Sequence, residues 1–206
     1  MGGHCCDPDG GDQGYELRYR RVLWVVLGIN AAMFMVEIVA GLIAGSASLQ
    51  ADALDFLADT ANYGISLLVA GQGLAHRARA ALAKGSTMGL FGLWVLISAL
   101  LHGIRGSVPG AETMGAVGLA ALTANAASFG LLWAYRGGDS NMRSVWLCSR
   151  NDVLGNLAVL LAAVGVFRTG SGWPDVSVAV IMGSLAIQGA FVVIRHAFTE
   201  LKEGHP

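Results

Sequence analysis

The chain has 206 residues, of which 54% are hydrophobic and only 13% are charged. Soluble domains carry about a quarter charged residues, so this composition excludes an ordinary soluble domain and indicates a membrane protein. The formal net charge is −1, and neither a basic cluster nor an aromatic platform points to nucleic acid as a partner. The chain shows no repeated period-2 alternation, which predicts an all-α polytopic protein in the lipid bilayer.

Hydropathy predicts six transmembrane helices, each about 20 residues or longer, as a bilayer core of roughly 30 Å requires. In chain order they cover about residues 21–44, 48–74, 81–104, 112–135, 144–167 and 174–197. We expect a flexible cytoplasmic tail over residues 1–17, a six-helix domain over 18–198 and a short cytoplasmic tail over 199–206.

Lys and Arg residues are distributed unevenly between the two sides of these helices. Placing both termini in the cytoplasm assigns ten of them to the inner side and two to the outer side, and leaves one, Arg150, within a helix. Because cytoplasmic loops carry an excess of Lys and Arg, this asymmetry predicts both termini inside. The expected location is the plasma membrane, or the inner membrane of a bacterium.

The N-terminal tail contains four residues of metal-binding type, namely His4, Cys5, Cys6 and Asp7. Imidazole, thiolate and carboxylate groups are common ligands of zinc and related ions. The tail either captures cytoplasmic metal or is a solvated segment with incidental thiols, and both interpretations stay open.

Polar residues occur at helical spacing in the first two predicted helices. Asn30 and Glu37, seven residues apart in the first helix, either pack within the bundle or line an ion path. In the second helix, Asp55 and Asp59 are spaced i, i+4 and share one face. Asp52 lies on the same face and either lines the ion's exit or sits near the membrane surface. An ionised carboxylate near the bilayer midplane costs several kcal/mol, so these residues indicate a functional site.

The fifth predicted helix contains a second pair at the same spacing, Cys148 and Asp152. Counted at 1.5 Å per residue from the helix ends, Asp59 lies roughly 16 Å deep and Asp152 roughly 13 Å deep. Both therefore fall near the midplane, where transporters place their substrate sites. Asn156 continues this face, and either supports the ligands as an outer donor or joins two helices by a hydrogen bond.

Three carboxylates and one thiol suit a tetrahedral divalent metal such as zinc, and the sulfur also suits cadmium or mercury. Four potential anions cannot all stay charged and unpaired in a low-dielectric site, so the empty site is expected to hold protons that metal expels. The residues predict an antiporter that exchanges a divalent metal for protons by alternating access. Zinc and cadmium are the first expected substrates, and no resident cofactor is expected.

Two stretches resemble the cation diffusion facilitator family. Residues 29–63, INAAMFMVEIVAGLIAGSASLQADALDFLADTANY, resemble its first two transmembrane helices, and LCSRNDVLGNLAVLLAA resembles its fifth-helix (H/D)…D segment. This resemblance implies a four-ligand transport site between the second and fifth helices, formed by Asp55, Asp59, Cys148 and Asp152. It also implies export of divalent metals, most often zinc, in exchange for protons, and a tendency to form homodimers.

The chain departs from the family pattern in two ways. Cys148 stands where the family usually has His or Asp, which leaves the choice of metal open. The family usually has a cytoplasmic metal-binding domain after the sixth helix, whereas this sequence stops at Pro206, so we expect the transmembrane domain only.

Several alternatives stay open at this point. A transporter of the same fold would carry mercury, cobalt, iron or manganese instead. A different class would be a membrane-embedded metal-dependent enzyme or a metal sensor. Asp55 and Asp59 have no Arg nearby in the sequence for phosphate recognition, which disfavours the enzyme, and we expect no enzymatic activity.

Overall fold

The chain folds into six long helices. The structure is a computed structural model that describes the backbone of residues 9–68, 74–135 and 140–203, and the side chains of residues 17–65, 67, 78–135, 152–199, 201 and 202. The helices are α1 (Asp9–Ala44), α2 (Ala47–Leu68), α3 (Leu74–Arg105), α4 (Ala111–Leu132), α5 (Ser140–Thr169) and α6 (Trp173–Glu203). The predicted all-α architecture of six helices is confirmed.

Helix α1 begins earlier than the expected start of the bundle at residue 18. It runs without a break from Asp9, inside the segment expected to be a flexible tail, into the apolar span. Once a helix is nucleated, each further residue adds a hydrogen bond at little cost, so a helix extends easily beyond the part that packs.

Five segments within the described residues are long and apolar enough to cross a membrane, and the chain is an integral membrane protein. They are Leu17–Ala44, Ala78–Arg105, Ala111–Tyr135, Asp152–Thr169 and Trp173–Thr199. Helix α2 is not among them because three aspartates lower its hydropathy. It is nevertheless enclosed by protein, since every residue from Ser46 to Phe56 is buried except Asp55, which is partly buried. Helix α2 contacts α1, α3, α5 and α6.

Outside α2, the most extensive helix contacts are those of α3 with α6 and of α4 with α5. Glycines bring α3 and α6 close together. A Cβ atom on Gly85 would lie 2.7 Å from Cγ1 of Ile194, and one on Gly92 would lie 3.0 Å from Cγ1 of Ile187. Because lipid gives no hydrophobic drive for helix association, such close backbone approach is the usual source of stability in membrane bundles.

The beginnings of α2 and α6 are joined by one buried carboxylate, that of Asp175. Its oxygens accept hydrogen bonds from the backbone N–H groups of Ala47 (2.8 Å) and Ser48 (3.0 Å). They also accept from the hydroxyls of Ser46 (2.7 Å) and Ser48 (2.6 Å). The first N–H groups of a helix have no intrahelical partner and carry positive partial charge, so Asp175 stabilises α2 and fixes its entry point against α6.

We expect Asp175→Ala to lower the free energy of unfolding by about 2 kcal/mol or more, because it removes a buried charged acceptor from several donors. Thermal unfolding in detergent, followed by tryptophan fluorescence, measures the loss. Glu112→Ala is the matched control, since Glu112 is an exposed acid in the first turn of α4. Equal melting curves for the two variants would contradict this role of Asp175.

Candidate functional site

Helix α2 carries three carboxylates toward the interior of the bundle. Asp52 is 1% exposed and Asp59 is 8% exposed, whereas Asp55 is partly buried. Asp55 faces α5, because its Oδ2 lies 3.9 Å from the position that a Cβ atom would take on Gly155. Gly155 therefore lies next to this carboxylate, and α2 and α5 approach each other at the acidic face.

Asp152 of α5 meets this face. Its carboxyl group lies within hydrogen-bonding range of Asp59 and within electrostatic range of Asp55. Its Oδ2 atom is buried and has no hydrogen-bond donor among the described residues. Ionised carboxylates only accept hydrogen bonds, so the contact between Asp59 and Asp152 needs either a shared proton or a cation.

The structure thus brings together three of the four predicted ligands, Asp55, Asp59 and Asp152, at one helix interface. The fourth, Cys148, lies one turn before Asp152 in α5, and its side chain is outside the described residues. No three carboxylate, imidazole or thiol groups among the described side chains converge closely enough to hold a metal ion. The assignment of these residues as metal ligands therefore stays a prediction.

Two residues beside Asp59 were not singled out from the sequence as part of the site. The hydroxyl of Tyr63 donates a hydrogen bond of 2.6 Å to Oδ2 of Asp59. The ammonium of Lys84, on α3, donates one of 2.9 Å to Oδ1 of Asn62 and lies within electrostatic range of Asp59. Tyr63 follows Asp59 by four residues, so helical spacing could have predicted this contact. The position of Lys84 depends on how α3 packs against α2 and could not be predicted in this way.

Lys84 lies in the wall of a cavity of about 450 Å³ between α2 and α3. Most of its lining is apolar, including Ala58, Ala61 and Met88. The cavity occupies the later part of α2 and the early part of α3, which is the cytoplasmic half in the predicted orientation. Asp59 is not a lining residue of this cavity, whereas its neighbour Ala58 and the nearby Lys84 are.

A chain of amides supports Asp52. Nδ2 of Asn156, on α5, donates to both carboxyl oxygens of Asp52 at 2.7 Å each. Nδ2 of Asn125, on α4, donates to Oδ1 of Asn156 at 2.9 Å. Asn125 is 3% exposed and Asn156 is fully buried, so the two amides link α2, α4 and α5 in the interior. Asn125 was not singled out from the sequence, although it is the one amide side chain within α4.

The two polar residues of α1 have different surroundings. Asn30 donates a hydrogen bond of 2.8 Å to the carbonyl oxygen of Val26, one turn earlier in its own helix. Glu37 is fully buried and its carboxyl group lies beside that of Asp52. The side chain of Asn30 thus has its hydrogen-bond partner in its own helix. Glu37, by contrast, lies against the acidic region of α2. The tail residues His4, Cys5, Cys6 and Asp7 lie outside the described part of the chain.

Comparison with known proteins places this arrangement in context. Residues 23–73 and 78–202 match the family model described as the cation efflux transmembrane domain. The chain is 26% identical to the metal cation efflux system protein CzcD of Cupriavidus metallidurans, over 99% of the chain and 66% of that protein. It is 27% identical to the zinc transporter ZitB of Escherichia coli, over 91% of the chain and 64% of that protein.

A further relative is the cadmium, cobalt and zinc/H(+)-K(+) antiporter of Bacillus velezensis. The identity is 24%, over 91% of the chain and 64% of the relative. The matches to these curated relatives therefore extend over slightly less than two thirds of their length.

Proposed function

Because the chain belongs to the cation efflux family, we propose that it exports a divalent transition metal from the cytoplasm in exchange for protons. Zinc and cadmium are the first candidates for the substrate, because the names of its relatives include both metals. The observation that best supports this proposal is the meeting of Asp59 from α2 with Asp152 from α5 inside the bundle. Mercury, cobalt, iron and manganese are alternative substrates.

The proposed binding site consists of Asp55, Asp59, Cys148 and Asp152. Its carboxylates come from two helices, so a change in the packing of α2 against α5 would open or close it. A mixed oxygen and sulfur ligand set favours zinc and cadmium over magnesium and calcium, which prefer oxygen alone. Asp52, Glu37, Asn30 and Asn156 are the proposed lining of the ion path or support of the ligands.

Proton exchange follows from the same contact. Asp59 and Asp152 hold a proton between their carboxyl groups when no metal is bound, and a divalent cation replaces that proton because it needs ionised ligands. The hydroxyl of Tyr63 orients Asp59 through the hydrogen bond to its Oδ2 atom. Alternating access then couples outward movement of metal to inward movement of protons. Membership in an efflux family favours this transport over an enzyme or a sensor.

We propose further that both termini lie in the cytoplasm and that the membrane is the plasma or bacterial inner membrane, as the distribution of Lys and Arg predicts. The N-terminal residues His4, Cys5, Cys6 and Asp7 would then face the source of metal and capture it. A homodimer is the oligomeric state that the family resemblance favours, and cross-linking in liposomes tests it. The division into a tail of residues 1–17, a six-helix domain and a short C-terminal tail belongs to the same proposal.

The central test is metal flux in proteoliposomes with a pH-sensitive dye inside. We expect zinc or cadmium movement with protons moving in the opposite direction, and a loss of at least about 100-fold in Asp59→Asn, which keeps the shape but removes the ionisable ligand. Glu112→Gln, an exposed carboxylate on α4, is the control and keeps full flux. Metal flux that ignores an imposed pH gradient would contradict the exchange, and unchanged flux in Asp59→Asn would contradict the site.

Lys84→Met is expected to tighten metal binding by about tenfold, because it removes a positive charge that repels a divalent cation near Asp59. Competition with a fluorescent metal chelator measures the dissociation constant. Arg79→Met, which removes an exposed charge from the same helix, is the matched control and leaves the constant unchanged. Equal or weaker binding in Lys84→Met would show that this ammonium does not act on the metal.

Cys148→Asp tests the contribution of sulfur. Soft ions gain more from a thiolate than hard ions do, so this variant should weaken cadmium transport more than manganese transport. The two rates are measured in the same proteoliposomes, so that variation in protein incorporation cancels. An equal effect on both metals would show that the sulfur atom of Cys148 does not contribute to metal selectivity.

A further inference from the structure

Glu37 and Asp52 form a second acidic pair inside the bundle, in addition to Asp59 and Asp152. Glu37 lies on α1 and is fully buried, and Asp52 lies on α2 and is 1% exposed. Their carboxyl groups are within hydrogen-bonding range of each other. The pair therefore lies at the α1–α2 interface, whereas Asp59 meets α5.

The hydrogen bonds of this pair are unequally distributed. Both oxygens of Asp52 accept from Nδ2 of Asn156 at 2.7 Å, and Asn125 in turn holds Asn156. Neither oxygen of Glu37 has a donor among the described residues. Two buried carboxyl groups in contact are costly when both are ionised, so the contact between Glu37 and Asp52 needs either a shared proton or a cation.

We propose that Glu37 and Asp52 form a second binding station for the transported divalent cation, on the exit side of the site formed by Asp59 and Asp152. This inference rests on the proposed function. The ligands at the station are carboxylate oxygens alone. The amides of Asn125 and Asn156 hold Asp52 in place and do not themselves bind the cation.

The position of the pair suits a relay. Asp52 precedes Asp59 by seven residues, which corresponds to about 10 Å along α2 toward its N-terminal end. Asp55 lies between them and is within electrostatic range of both Glu37 and Asp152. A cation leaving the α2–α5 interface would thus pass from one carboxylate to the next along a single helix face, without crossing apolar surface.

The two stations differ in their ligands, and therefore in their affinity for zinc and cadmium. The proposed midplane site includes a thiolate, which binds zinc and cadmium strongly, whereas two carboxylates bind these ions more weakly. Movement from the first station to the second is therefore a step toward release. The residues from Ser46 to Phe56 are buried apart from Asp55, so the second station is closed at this end of α2 in the present structure.

Cadmium binding to the purified full chain in detergent tests the proposal. Equilibrium dialysis with radioactive cadmium should give one fewer bound ion per chain in Glu37→Gln than in the wild type. Cadmium-113 NMR of the wild type should give two kinds of resonance, those shifted by sulfur and one typical of oxygen ligands. Glu37→Gln should remove only the oxygen-type resonance, and Asp59→Asn should perturb the sulfur-shifted one.

Glu112→Gln is the control for adventitious binding to an exposed carboxylate, and it should keep both resonances. Asp52→Asn provides a second variant that should lose the same resonance as Glu37→Gln, and thermal unfolding confirms that each variant is folded. An unchanged cadmium stoichiometry in folded Glu37→Gln and Asp52→Asn would overturn the station and leave the pair holding only a proton. Loss of the oxygen-type resonance in Glu112→Gln would also overturn it.

These outcomes are separable from a failure of the proposed function. If wild-type proteoliposomes move no metal, the transport proposal fails whatever the binding experiments give. If wild-type flux is intact and Glu37→Gln binds as many ions and transports as fast as the wild type, only the second station fails. If the station exists, Glu37→Gln should slow flux at least tenfold while the sulfur-shifted cadmium resonance persists.

Discussion

Three carboxylates on one membrane helix impose the main constraint on this fold, because lipid cannot solvate them. The bundle meets this constraint by placing α2 in its centre, in contact with α1, α3, α5 and α6. The part of α2 from Ala47 to Phe56 is consequently buried apart from Asp55, whereas α1, α3 and α6 expose large apolar side chains to lipid. The pairing of α3 with α6 through glycine contacts and the attachment of Asp175 to the start of α2 both serve to close protein around this helix.

The buried acids of the bundle differ in the groups that they contact. Asp59 and Asp152 approach each other across α2 and α5, and Asp52 and Glu37 approach each other across α1 and α2. Each pair consists of acceptors, so each needs a positive charge that the described side chains do not fully supply. Asp175, by contrast, is surrounded by hydroxyl and N–H donors and has a structural role. Asp175 therefore differs from the two acidic pairs, because within the described part of the chain its carboxylate contacts only donors and meets no second carboxyl group.

Lys84, on α3, adds a positive charge within electrostatic range of Asp59. Its ammonium is held by Asn62, on the same helix as Asp59. At the proposed metal site, a tethered cation in this position would oppose tight binding of a divalent ion. A transporter needs moderate affinity, since an ion that binds too strongly is not released.

The sequence by itself determined the class of fold, the helices and the acidic face of α2. Apolar runs of bilayer length specify helices without reference to their neighbours, and i, i+4 spacing places Asp55 with Asp59 and Cys148 with Asp152. Only the tertiary structure decided that Asp152 lies against Asp59, that Glu37 lies beside Asp52, and that Lys84 and Asn125 belong to the same region. These contacts join helices that are far apart in the chain. Hydropathy contains no information about the rotation of an apolar helix about its axis, which decides which face meets a neighbour. That rotation is fixed by packing and by buried hydrogen bonds such as those from Asn156 to Asp52, which exist only once the helices have assembled.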